Sequence, residues 1–169
     1  MSLVVSGLAP HHNRTDFDCG EPALNHFLQR LARQQADRDF NRTYVACELG
    51  ESRIHGFYSI SSASISFENW PAELRLPRYP APVSRIGRLA VDSRSQGRGV
   101  GAALLTHAMG LAASLAQQIG LYAVVVDAKH DSAAAFYARY GFQRFPDQGL
   151  SLFLTMDVIR RALALGRSH

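Results

Sequence analysis

One stretch constrains this chain more than any other: a strand that runs into a glycine-rich loop and straight on into a helix. Residues 85–101 read Arg-Ile-Gly-Arg-Leu-Ala-Val-Asp-Ser-Arg-Ser-Gln-Gly-Arg-Gly-Val-Gly. Val83 to Val91 is rich in strand formers, and an amphipathic helix is expected from near Gly99. Gly97, Gly99 and Gly101 remove side chains just where that helix begins. A helix start carries four N–H groups without intrahelical partners and a partial positive charge. Glycines there let an anion approach the backbone closely, so the loop reads as a phosphate cradle or as a plain strand-to-helix turn. The glycines lie two apart, which is not G-x-G-x-x-G, and the Lys-Ser/Thr ending of a P-loop is missing. Both facts disfavour a nicotinamide or ATP site.

Length and composition narrow the setting. A chain of 169 residues with 47% hydrophobic residues suits a single domain, here residues 1–169, with a substantial core. No run reaches the ~18 apolar residues of a membrane span and no signal-peptide pattern opens the chain, so a cytoplasmic location is expected. Cys19 and Cys47 lack metal-ligand spacing and are expected as reduced thiols.

Charge is unevenly placed. Residues 71–101 hold six arginines against two acids, a local +4 that equals the net charge of the whole chain, whereas residues 1–70 hold six arginines against eight acids. Seventeen of the eighteen basic residues are arginine, which suits bidentate contacts to phosphate. An arginine-favouring codon bias explains the preference equally well; it does not explain the clustering.

Read in order, Ser2 to Leu8 is a strand. Asp18 and Glu21 have capping-box spacing before a helix whose Leu24, Phe27, Leu28 and Leu31 form one apolar stripe. Thr43–Leu49 and Ile54–Phe67 read as a hairpin around the turn at Gly50-Glu51-Ser52. Trp70 to Pro82 holds four prolines and is expected to be irregular, with a turn of helix near Ala72–Arg75. The helix after the glycine loop carries Leu104, Ala108, Leu111, Leu115 and Ile119 on one face and is expected to end at Gly120 as a cap glycine. Leu121–Val126 is an apolar run ending at Asp127, as expected of a strand buried on both faces, which completes a βαβ unit. Asp131 or Ser132 is positioned to cap a helix over Ala133–Tyr140, ended by Gly141. Phe142–Phe145 and Leu150–Met156 are two more strands, and Val158–Leu165 is a helical tail.

Two motifs now resemble a known family. Gln96-Gly97-Arg98-Gly99-Val100-Gly101 fits the Q/R-x-x-G-x-G/A loop of the Gcn5-related N-acetyltransferases (GNAT), and Ala135-Phe136-Tyr137 followed by Gly141-Phe142 fits their A-x-F-Y-x-x-x-G-F region. The chain also resembles the acetyltransferase toxins of bacterial toxin–antitoxin pairs. Phe17-Asp18-Cys19-Gly20-Glu21-Pro22, Asn41-Arg42-Thr43-Tyr44-Val45, Gly56-Phe57-Tyr58-Ser59-Ile60 and Gly87-Arg88-Leu89-Ala90-Val91-Asp92 carry that likeness. The resemblance implies an α/β (α+β) GNAT fold. Its sheet would be central, mixed, mostly antiparallel and twisted, with six to seven strands and helices on both faces. Strands 4 and 5 would be parallel and splayed.

The resemblance also implies a chemistry. Acetyl-CoA would be the donor and no metal would be needed. Coenzyme contacts fall on Leu89, Ala90, Val91, Arg94, Gln96, Gly97, Arg98, Gly99, Val100, Gly101, Ser132 and Phe136. Tyr137 matches the position of the general acid; a phenol with a pKa of about 10 is protonated at neutral pH and can donate to a leaving thiolate. Tyr140 is the alternative. A backbone N–H within Leu89–Val91 is the expected oxyanion donor.

No general base stands out among Glu68, Asp92, Asp127 and His107. An α-amino group, with a reference pKa of about 7.7–8.0 against ~10.4 for lysine, needs one least. An α-amine acceptor therefore fits this site better than a lysine, and the resemblance to the toxins implies that it is the amino group of aminoacyl-tRNA, with Arg75, Arg78, Arg85 and Arg88 as candidate contacts, and Arg30, Arg33, Arg38 and Arg42 as a further basic set. A ribbon-helix-helix antitoxin and a homodimer are the implied partners. The alternatives are a small-molecule amine or protein N-terminus as acceptor, and a non-catalytic domain that binds acetyl-CoA or a partner.

Overall fold

A computed structural model describes residues 2–147 and 149–167. Its strands are β1 (Leu3–Gly7), β2 (Arg42–Glu48), β3 (Gly56–Ile65), β4 (Ala81–Val91), β5 (Ala123–Asp127), β6 (Gln143–Arg144) and β7 (Ser151–Thr155). They form one seven-stranded mixed sheet in the order β1-β2-β3-β4-β5-β7-β6. β4 and β5 are the parallel pair, and β5 pairs antiparallel with β7. The helices are α1 (Pro22–His26), α2 (Ala32–Asp37), α3 (Val100–Leu115), α4 (Asp131–Ala138) and α5 (Met156–Arg167). Packing divides the chain into two units, residues 1–61 with 87–108, and residues 62–86 with 109 onward.

In the first unit the hairpin β2–β3 pairs Arg42↔Ile60 through Ala46↔Gly56, with β1 antiparallel on the far side of β2. Phe57 is fully buried, edge-on to Phe17 at 5.5 Å and stacked on Phe27 at 6.1 Å. A π turn over Phe27–Leu31 joins α1 to α2, and Ala32 N–H donates to the Phe27 carbonyl. That wider turn brings Ala32 over Phe27, so Ala32 is fully buried while Leu31 is only half-buried. The expected capping box does not form. Pro22 begins the helix, and the Asp18 carboxylate instead accepts from Gly20 N–H and the Asn25 side chain, both at 2.9 Å. Backbone crowding is greatest at Gly56, where an added Cβ would lie 2.8 Å from Val100 and 2.9 Å from the Ala90 carbonyl oxygen.

In the second unit β5 is buried along Ala123–Val126, and its ladder with β4 runs from Val83↔Ala123 to Ile86↔Val126. β4 itself continues for five residues past the last of those pairs. Trp70 anchors the proline-rich segment. Its ring stands edge-on to Tyr122, Phe145 and Phe153 at 5.3, 5.0 and 5.1 Å, and its Nε1–H donates to the Ile65 carbonyl.

The long helix ends earlier than its apolar pattern suggests. α3 stops at Leu115, Ile119 is exposed in the turn that follows, and Gly120 does not take a positive φ, so it is no left-handed cap. The buried positions are Val100, Leu104, Leu105, Ala108, Met109 and Ala112. Among the described residues no helix is long and apolar enough to cross a membrane.

Candidate active site

The first unit holds the glycine loop. β4 delivers the chain to Asp92, whose side chain is wholly buried. Its Oδ1 accepts from Arg94 N–H at 2.9 Å and Arg94 Nε at 3.0 Å, and its Oδ2 from Arg94 Nη2 at 3.2 Å and Asp18 N–H at 3.1 Å. Burial pushes the Asp92 carboxyl up, but the hydrogen bonds from the Arg94 side chain and backbone and from Asp18 N–H outweigh it and hold the pKa at about 2. A turn of 3₁₀ helix over Ser93–Ser95 follows. Ser95 is buried, its Oγ 2.7 Å from His55 Nδ1 and 3.4 Å from Arg53 Nη2.

Beyond that clamped foot the loop opens. Gly97 and Gly99 take φ of +75° and +80°, and an added Cβ at either would meet nothing within 4 Å. α3 begins at Val100, and its first intrahelical bond runs from Ala103 N–H to the Gly99 carbonyl at 3.0 Å. The N–H groups ahead of it point out of the helix end. Backbone that faces open space beside a helix N-terminus fits a pyrophosphate. Val100 is buried, while Gln96, Gly97, Arg98 and Gly99 are exposed and Gly101 is half-buried. Arg94, expected beside the phosphates, has its guanidinium engaged by Asp92 and by the Asp16 carbonyl at 3.1 Å.

β4 places Leu89 and Val91 half-buried and Ala90 buried. Arg88 lies with its guanidinium carbon 3.8 Å from the Phe27 ring centroid and donates to Ser59 Oγ at 3.5 Å; burial lowers its pKa. His107 is structural. Its Nδ1 pairs with the hydroxyl of fully buried Tyr58 at 2.7 Å, Tyr44 stacks on Tyr58 at 5.2 Å, and burial lowers the imidazole pKa.

The second unit holds Tyr137. α4 is capped by His130, one residue before the expected caps: its Nδ1 accepts from Ala133 N–H at 3.2 Å and lies 2.9 Å from Ser132 Oγ. Tyr137 is 4% exposed, with ring contacts to Phe136 at 5.3 Å and Phe142 at 5.7 Å. Gly141 at φ +94° turns the chain so that Phe142 returns against that ring. The Tyr137 hydroxyl has no hydrogen-bond partner among the described residues. Burial, with a smaller contribution from the negative Asp127, raises its pKa far above the usual phenol value, so it stays protonated. Tyr140 is 45% exposed and packs on Phe136.

Asp127 is not free to act as a base. Arg85 grips it at 2.8 and 3.2 Å and Ser151 Oγ donates at 3.0 Å. Glu68 is exposed in a 3₁₀ turn. Arg75, in a left-handed turn at φ +52°, and Arg78, above the Phe67 ring at 5.8 Å, are exposed and pair with no acid among the described residues. The anchoring roles of Asp92, Arg53, His55 and Trp70 have no sequence signal, because a buried acid or imidazole has the same spelling as an exposed one.

The acetyltransferase (GNAT) domain family matches residues 39–144. The chain is 40% identical over 148 residues to the tRNA-acetylating toxin of Mycobacterium tuberculosis, covering 86% of this chain and 87% of that one. The structure of AtaT complexed with acetyl-methionyl-tRNAfMet matches with a TM-score of 0.88 at 28% identity, over 96% of this chain and 99% of that one. A mutant AtaT bound to the C-terminus of the antitoxin AtaR and acetyl-CoA matches with a TM-score of 0.83 at 27% identity, again over 96% and 99%.

Proposed function

The chain belongs to the GNAT acetyltransferase family, and we propose that it moves the acetyl group of acetyl-CoA onto the amino group of aminoacyl-tRNA, as the translation-blocking toxin of a toxin–antitoxin pair. The observation that carries this reading is the 40% identity to a tRNA-acetylating toxin across most of both chains. The whole chain is taken as one acetyltransferase domain, and the family match supports this because it runs through parts of both packing units. The antitoxin is read as a small ribbon-helix-helix protein and the toxin as a homodimer.

In this reading the Gln96–Gly101 backbone holds the coenzyme pyrophosphate, with Arg98 adding charge. Main-chain groups of Leu89, Ala90 and Val91 hold the pantetheine arm as an added strand would, and a backbone N–H among them donates to the oxyanion. Ser132 and Phe136 contact the coenzyme from the helix that carries Tyr137. The acceptor nitrogen attacks the thioester carbonyl, a C–N bond forms and the C–S bond breaks. Tyr137 supplies the proton that the departing thiolate takes up, the amine proton is lost to water, and Tyr137 regains a proton from water, so the enzyme ends unchanged. The Tyr137 hydroxyl is protonated at working pH, as a proton donor must be, although burial makes the phenol a weaker acid. With Asp92 and Asp127 both locked in ion pairs, an acceptor that is already partly neutral at pH 7 fits best. Exposed Arg75 and Arg78, with Arg85 and Arg88 on β4, are the proposed contacts to the tRNA backbone.

Incubation of the protein with labelled acetyl-CoA, charged tRNA and free amines tests the proposal. Label on the amino group of aminoacyl-tRNA is the expected result. Label confined to free amines or to protein N-termini overturns the acceptor assignment, and no transfer at all overturns the enzymatic one.

A further inference from the structure

A second site lies in the first unit, outside the acetyl-transfer machinery, where β2 ends and β3 begins. Glu48 is the last residue of β2, Glu51 sits in the following turn and His55 immediately precedes β3. One ligand-type atom from each lies within 4.8 Å of the other two. His55 is 3% exposed, and its two ring nitrogens differ: Nδ1 is 2.7 Å from Ser95 Oγ, and Nε2 is buried with no hydrogen-bond partner. Leaving a buried imidazole nitrogen unpaired is costly, so its retention in a histidine that neighbours two carboxylates calls for a ligand. Glu48 and Glu51 also line a cavity of about 350 Å³ that opens to solvent, so the two carboxylates are reached from outside, while His55 lies behind them and does not line it.

We propose that Glu48, Glu51 and His55 bind a divalent transition-metal cation of the zinc type. A borderline cation takes one imidazole nitrogen and carboxylate oxygens at ~2.0–2.2 Å and leaves its remaining positions to water. Glu48 is half-buried and Glu51 exposed, so both side chains can close on an ion held by the rigid histidine. Hard cations such as calcium and magnesium prefer all-oxygen shells and are disfavoured by the imidazole. Arg53 opposes a cation here, but its guanidinium is turned to Asp92, 3.7 Å away. The two glutamates therefore supply the local charge.

Coordination through Nε2 fixes the histidine tautomer. Nδ1 must then carry the proton and donate it to Ser95 Oγ. Ser95 is the buried foot of the glycine loop, so an ion at Glu48, Glu51 and His55 stiffens that foot from behind. The site would act on the loop without touching a reacting atom.

Calorimetric titration of the metal-stripped protein with Zn²⁺, and with Co²⁺ followed by its visible absorption, tests the proposal. Expected are one ion per chain, at least about tenfold weaker binding in both E48Q and E51Q, and slower hydrogen exchange at Ser95 and Gln96 on metal addition. Both substitutions lie at accessible positions, so loss of binding is separable from misfolding by circular dichroism. The absence of stoichiometric binding at millimolar metal, or binding unchanged in the E48Q/E51Q double variant, overturns the site. Binding without any change in exchange at Ser95 overturns its link to the loop.

Discussion

Arg94 closes on the carboxylate of Asp92, two residues before it, with Nε 3.0 Å from one oxygen and Nη2 3.2 Å from the other. The acid is wholly buried and the arginine partly exposed. The pair sits where β4 ends and the glycine loop begins, and Asp18 N–H completes the grip from the N-terminal segment. The loop is thus held at its foot and left open at its tip.

Replacing Asp92 with asparagine keeps the shape but removes the charge, and its amide NH2 cannot accept the two N–H groups that reach one of the carboxylate oxygens. Hydrogen bonds to charged groups contribute about 1.5–3 kcal/mol each, and the variant should lose at least one such increment of stability in urea unfolding. Acetyl-CoA binding, followed by calorimetry, should weaken with it. Arg94→Ala should be milder, because the Arg94 and Asp18 backbone N–H groups still serve the carboxylate.

Stability should fall on acidification in two stages. Burial holds the His12, His55 and His107 imidazoles below 6.5. As the pH drops through the unfolded value near 6.5, the unfolded chain therefore binds protons first and gains on the folded one. The Asp92 carboxyl titrates at about 2 when folded against 3.8 when free, so its contribution is complete above about pH 4 and is lost as the pH falls toward 2. Thermal unfolding between pH 8 and 3 should show midpoints that decline below pH 6.5 and again below pH 4. A flat profile would contradict both.

Tyr137→Phe removes a hydroxyl with no partner among the described residues. Turnover should drop roughly 10²-fold or more with acetyl-CoA affinity kept, and thermal stability should change little. Unchanged turnover would take the proton-donor role away from Tyr137.

Gly56→Ala should destabilise the first unit by about 1–3 kcal/mol, the usual cost of overpacking. Val100 can rotate away from a methyl group, but the Ala90 carbonyl 2.9 Å away belongs to the β4 backbone. Chemical denaturation measures the loss directly. A neutral result would mean that β3 and β4 can part at no cost.

Arg75 and Arg78 face solvent without acidic partners among the described residues, whereas Arg85 is tied to Asp127. A double Arg75→Gln, Arg78→Gln variant should bind tRNA more weakly and with a shallower salt dependence. The log–log slope should fall by about 0.7–0.9 for each phosphate that is no longer neutralised. Stability should be untouched. Arg85→Gln should lower stability as well as binding, and equal salt slopes in all three proteins would remove these arginines from the RNA interface.

Sequence alone determined the order of strands and helices, the glycine loop and the candidate acid. Each rests on local rules. Hydrophobic periodicity marks an element, glycine marks a backbone position that rejects side chains, and a short motif marks chemistry at a chosen spacing. The same local rules misplaced the end of α3, because Leu115 and Ile119 continue the apolar pattern after the core has run out. They also misread Asp18, whose carboxylate turned out to serve Gly20 and Asn25.

What only the tertiary structure decided is which polar groups are buried and with whom. Asp18 and Asp92 are 74 residues apart, and His55 and Ser95 are 40 apart. No local signal links positions so distant. Charge and hydrogen bonding acquire their strength from desolvation, and desolvation exists only once the chain has closed around them.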